Sequence, residues 1–154
     1  KTFGPAGEDK HYASGEIETI VKYKEWKFQL QICYDLRFPH LYRSLATAGA
    51  DFLTVPAAFT RITGQAHWHV LLRARAIETG CWVLAPAQTG LHAAQAGRPR
   101  RTYGHSMAVA PCGEVVADAG TETGVTVFEM DMQAVGEARR RVPSLSHTRA
   151  FEGP

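Results

Sequence analysis

The sequence predicts an α/β layered fold, and three observations carry that expectation. Lys27 to Cys33 alternates strictly, with Phe28, Leu30 and Ile32 on one face and Lys27, Gln29, Gln31 and Cys33 on the other. That is the period of a half-buried strand. The short apolar runs Phe52-Leu53-Thr54-Val55 and Cys81 to Ala85 suit strands buried on both faces. Stretches with helical spacing lie between them and end in glycine, so strand and helix alternate early and a run of strands follows.

Taken in order, Ile17 to Tyr23 reads as a strand and Lys24-Glu25 as a short turn before the alternating strand. Pro39 suits the first turn of a helix, which Leu41, Leu45 and Ala48 continue to a stop at Gly49. A second helix is expected from about Gln65 to Glu78, with Val70, Leu71, Ala74 and Ile77 as its apolar stripe and Gly80 as terminator. Residues 89–102, rich in Gly, Ala, Gln and Arg, read as a mobile loop. Ser106 to Ala110, Glu114 to Ala117 and Val125 to Met130 read as strands, and Gln133 to Arg141 as a last helix before Pro143.

The length of 154 residues is enough for one substantial core. A net charge of +2 gives no reason to invoke nucleic acid or an acidic membrane. The basic cluster Arg98-Pro99-Arg100-Arg101 reads as a solvated loop, and no apolar run approaches the roughly 20 residues that span a bilayer. Cys33, Cys81 and Cys112 are odd in number and widely spaced, which fits neither a disulfide framework nor a C-x-x-C zinc site. A reducing cytoplasm is the expected setting. Cys81, within an apolar run, reads as an inert core thiol.

Cys33 is different. It is expected to end its strand on the polar face, turned away from the aliphatic side, and a turn into a helix follows. A thiol placed there suits nucleophilic catalysis. Backbone N–H groups just past it can meet a developing oxyanion, and a helix N-terminus favours negative charge and lowers a thiol's pKa. Buried unreactive cysteines are common, and position alone favours that reading over catalysis.

The run Cys33-Tyr34-Asp35-Leu36-Arg37-Phe38-Pro39 resembles the nucleophile motif of the nitrilase superfamily of carbon–nitrogen hydrolases. Four further runs match in order and spacing: Pro56-Ala57-Ala58-Phe59-Thr60, Thr63-Gly64-Gln65-Ala66-His67-Trp68, Leu71-Leu72-Arg73-Ala74-Arg75-Ala76-Ile77-Glu78 and Tyr103-Gly104-His105-Ser106-Met107. The motifs are most similar to the deaminated-glutathione amidase and ω-amidase-like branch. The resemblance implies an α-β-β-α sandwich of which residues 1–154 are the C-terminal portion. It also implies a Glu–Lys–Cys triad without metal or organic cofactor, a small-molecule amide substrate and a homo-oligomer. In that scheme Cys33 attacks the amide carbon, and the Tyr34 backbone N–H helps to hold the oxyanion.

The resemblance places the triad Glu and the Lys upstream, with Lys1 aligned just past the Lys position. Glu8, followed by Gly15, fits a second catalytic Glu, and a solvated loop carboxylate is the other reading of it. Arg37, Phe59 and Thr60 are the candidate substrate-binding residues, each open to a packing role as well. His40 and His69 stand where relatives commonly carry Glu, while Ala110 and Cys112 replace an Asp and a Trp. Arg73, Arg75 and Glu78 are spaced for ion pairs along a helix. Two rival chemistries are weaker: a thiol-protease pairing of Cys33 with His67 or His105, which no spacing favours, and a metal site from His67, His69 and His105. The metal set is disfavoured because helical residues two apart do not share a face. A non-catalytic module that needs a complementing N-terminal piece is the alternative to an enzyme.

Overall fold

A computed structural model describes residues 7–93 and 99–153 of the chain. Lys1 and Arg98, both weighed above, lie outside the described residues. A tight turn at Lys24 (φ 53°) folds β1 (Ile20–Tyr23) onto β2 (Trp26–Leu30) as an antiparallel pair. Two parallel neighbours follow, β3 (Phe52–Thr54) on β2 and β4 (Trp82–Ala85) on β3. Parallel pairing requires crossovers, and α1 (Pro39–Thr47) and α2 (Arg61–Thr79) supply them. β7 (Met107–Val109) and β8 (Val115–Asp118) add antiparallel strands, so the six-stranded order is β1-β2-β3-β4-β7-β8. Between β4 and β7 in the chain, β5 (Thr89–His92) and β6 (Arg100–Tyr103) pair as a separate two-stranded sheet, and α3 (Gln133–Arg141) closes the chain of elements.

Register decides which face is buried. Gln29, Leu53, Val83 and Val109 stand opposite one another across β2, β3, β4 and β7, and all four are fully buried. Tyr42 and Ala46 of α1 and Trp68, Leu72 and Ala76 of α2 cover that face. The period predicted for residues 27–33 is therefore present with the opposite sense. β2 stops at Leu30, Gln29 and Gln31 point inward, and Leu30 and Ile32 are 49% and 65% exposed. Pairing with β3 fixes the strand's facing more strongly than its own hydropathy does. Gln29 enters the core with a side-chain amide that has no hydrogen-bond partner among the described residues.

The stripe expected on α2 is corrected in the same way. Its buried side is Gly64, Trp68, Leu72, Arg75, Ala76 and Thr79, whereas Val70 and Ile77 are largely exposed. Trp68 is the largest apolar surface on the helix, and the helix turns to bury it. Gly80 terminates α2 in the left-handed conformation, as expected. At Gly64 the helix passes so close to β6 that an added Cβ would lie 2.3 Å from the Tyr103 Cβ.

Two other expectations fail for want of long-range information. Residues 89–92 and 100–103 are a paired hairpin rather than a loop, tied to the start of α2 by a Thr60–Thr102 bridge and a Tyr103 N–H to Phe59 carbonyl bond. Residues 125–130 form no strand, and Val125 and Val127 are exposed. That segment leaves the sheet and brings the Asp131 carbonyl to the Trp82 indole N–H at 2.9 Å. From α3, Arg139 donates to the carbonyls of Ala50 and Thr79 and to the Cys81 sulfur. Cys81 is fully buried, in keeping with a core thiol. The β3 and β4 ends nearest α3 are thereby covered, and the opposite, C-terminal strand ends carry the loops described next.

Candidate active site

Three parallel strands release their chains on the same side, and the loops after them line a cleft of about 1570 Å³. Cys33 and Tyr34 follow β2, Pro56 to Thr60 follow β3, and Pro86 to Gln88 follow β4. The C-terminal ends of parallel strands are the general ligand-binding edge of α/β sheets. Glu8, Cys33, Tyr34, Arg37, Phe59 and Thr60, all nominated from the sequence, lie on the walls of this one cleft.

Cys33 does not end a strand. It opens a five-residue 3-10 turn, Cys33–Arg37, with φ 43°, a left-handed conformation that a side chain adopts at a cost of about 1–3 kcal/mol. Surrounding bonds hold it there. The Cys33 N–H donates to the Pro56 carbonyl at 2.9 Å, the Ile32 N–H to Asp35 Oδ2 at 3.0 Å, and the Asp35 N–H back to the Ile32 carbonyl at 2.9 Å. The bend lifts the half-buried thiol into the cleft while part of it still packs on the core.

The expectation of a lowered thiol pKa is overturned. Burial pushes Cys33 above its ordinary range. The Ala58 backbone N–H opposes that rise, the Glu8 charge adds to it, and Arg100 and Arg37 oppose it. The turn is too short to supply much helix field, so desolvation prevails. A proton acceptor is needed to make this sulfur a nucleophile.

Arg37 points across the cleft wall. Its guanidinium lies 5.0 Å from the Phe59 ring centre and 3.2 Å from His67 Nδ1. Phe59 is buried and packs against Trp68 at 4.9 Å, so it serves as floor and core together. Thr60 is exposed, precedes α2, and shares a hydroxyl hydrogen bond with Thr63 at 2.8 Å.

Sequence reasoning missed the positioning role of Arg75. The expected ion pair with Glu78 is present at 2.6 Å, yet Arg75 is only 5% exposed. Its Nε also donates to the Leu36 carbonyl at 3.0 Å, and so pins the turn that carries Cys33. The signal was its position on the true buried stripe, in step with Trp68 and Leu72. Arg73 instead donates to the Gly113 carbonyl. Ser106 is a second omission: it lines the cleft and accepts from the Ala87 N–H at 2.9 Å.

The histidines are engaged elsewhere. His67 bonds Arg37, and His105 bonds Asp118 at 3.0 Å, so the Cys–His pair of a thiol protease is not formed among the described residues. His69 turns away from His67, as helical spacing requires, and meets Asp118 at 3.0 Å. Burial raises the Asp118 carboxyl, but the Gly120 N–H and the His105 and His69 rings outweigh it and hold the group below its ordinary range.

Comparison with known proteins identifies the family and the fold. The carbon–nitrogen hydrolase family profile matches residues 2–140. The chain is 46% identical to human deaminated glutathione amidase over 147 residues, 95% of this chain and 44% of that protein. The crystal structure of the Caenorhabditis elegans NitFhit protein superposes with a TM-score of 0.85 at 42% identity, over 93% of this chain and 34% of that one. An amidase of Nesterenkonia, in a structure showing acrylamide added at its active-site cysteine, superposes with a TM-score of 0.71 at 25% identity, over 88% and 52%. The chain spans less than half the length of the curated relatives it matches. With its motifs in order, its mixed α/β fold and its family profile in agreement, the chain belongs to the carbon–nitrogen hydrolase family of the nitrilase superfamily.

Proposed function

We propose that Cys33 is the nucleophile of a hydrolase acting on the C–N bond of a small carboxamide. The observation that carries this reading is the strained turn that presents the thiol at the C-terminal ends of three parallel strands. In the reaction the sulfur attacks the amide carbon, and the C–N electron pair leaves with a proton as ammonia. Water then cleaves the thioester to acid and free thiol. The Tyr34 N–H, next in the chain, is the proposed oxyanion donor. Glu8 contributes a carboxylate on the thiol's side of the cleft, and Arg37 and Thr60 contact substrate over the Phe59 floor. A human relative named as an amidase and a Nesterenkonia amidase with a modified active-site cysteine support amide over nitrile as substrate.

A second reading has one observation in its favour. Ile17, Leu30 and Ile32 are 88%, 49% and 65% exposed along the cleft's lip. A complementing N-terminal piece would cover them, and the chain alone would then be a non-catalytic module. Ammonia release from a panel of short carboxamides and matching nitriles tests the first reading. Cys33→Ala is expected to remove activity by about 10³-fold or more with the fold retained. An unchanged rate in that variant ends the nucleophile assignment. Activity that appears only on adding an upstream segment favours the module. Light scattering of the same preparation tests the homo-oligomer that the resemblance implies.

A further inference from the structure

We propose that His69, His105 and Asp118 form a binding site for a divalent transition-metal ion, at a place distinct from the Cys33 cleft. The three residues come from α2, from the turn before β7 and from the end of β8. One ligand atom of each lies within 4.8 Å of the other two. Asp118 Oδ2 is 3.0 Å from His69 Nε2, and Asp118 Oδ1 is 3.0 Å from His105 Nδ1. Two imidazoles and a carboxylate suit zinc and its neighbours, and three protein ligands leave a position open for water.

Hydrogen bonding between the rings and Asp118 accounts for the contacts, but not for the preparation of His105. Its backbone is left-handed, with φ 58°, directly after Gly104 at 77°. It is fixed from both sides, for its N–H donates to the Gly120 carbonyl at 2.6 Å and its carbonyl accepts from the Trp68 indole at 2.8 Å. The Tyr103 ring stacks on its imidazole at 4.4 Å and 25°. A non-glycine residue held in this conformation, with its ring also clamped, is a preorganised ligand. The site is reachable: the three side chains are between 25% and 35% exposed, and His105 borders a second cleft of about 590 Å³. An ion there would tie α2 to the far edge of the sheet.

The test is a Zn²⁺ titration of the chelator-treated protein by calorimetry, with Cys33→Ala and Cys112→Ser combined as background to remove the accessible thiols. Saturable uptake of one ion per chain is expected, together with a rise in Tm as zinc is added. His69→Gln and Asp118→Asn should each weaken binding by about tenfold or more, at least the loss seen when a mere outer-shell partner is removed. His147→Gln, in the exposed tail, should bind as the background does. Absence of saturable uptake in the background protein overturns the proposal, as does affinity unchanged in either ligand variant. Should both variants unfold, the Co²⁺ spectrum of the Cys33→Ala/Cys112→Ser background protein decides. Nitrogen–oxygen d–d bands alone support the site, and a sulfur-to-cobalt charge-transfer band, or no bands at all, overturns it.

Discussion

At Cys33 the backbone and the surroundings act on different properties of one side chain. The left-handed φ of 43° aims the sulfur, while burial and the nearby Glu8 charge keep it protonated. Alkylation of Cys33 should therefore rise with pH through a midpoint above the ordinary 9.0. Glu8→Gln should move that midpoint downward, because a negative neighbour is removed; mass spectrometry of iodoacetamide adducts against pH reads both. The linked effect on stability has a fixed sign. A thiol whose pKa is raised on folding contributes fully below its unfolded value, and the contribution disappears as pH rises through the folded one. Gln29 offers a separate test. Its buried amide has no partner among the described residues, so Gln29→Leu should raise stability by about 1–3 kcal/mol in denaturant unfolding.

The elements show what a sequence discloses by itself. α3 begins and ends where its pattern predicts, and Gly80 and Pro39 mark helix boundaries because their constraints are local. Strand facing and the β5–β6 hairpin were not legible, since both depend on partners distant in the chain. β2 shows this most clearly: its alternation is plain, but only Leu53 opposite Gln29 reveals which side is inside. The candidate site divides the same way. Motif residues after strand ends could be named, whereas Arg75 required knowing that its helix face is buried. Gly64 is the element-scale test. Gly64→Ala would drive a methyl against Tyr103, separating α2 from β6 and lowering stability by about 1–3 kcal/mol by thermal melt. A melt equal to that of the parent would show that the contact is loose.

Across the whole molecule, the sheet has two unlike ends. One carries the cleft and the strained turn, and the other is closed where Arg139 of α3 caps the carbonyls of Ala50 and Thr79 and the sulfur of Cys81. The three thiols therefore differ in shelter: Cys112 exposed, Cys33 half-buried, Cys81 sealed. Pulse labelling should modify Cys112 first, Cys33 next and Cys81 last, and in dilute denaturant the Cys81 rate should follow the global unfolding equilibrium. Cys81 labelled as readily as Cys33 in native buffer would mean that α3 opens on its own. Because Arg139 closes over the sulfur from a different part of the chain, Cys81 is a built-in clock: the time it takes to be marked measures how often the whole fold comes apart.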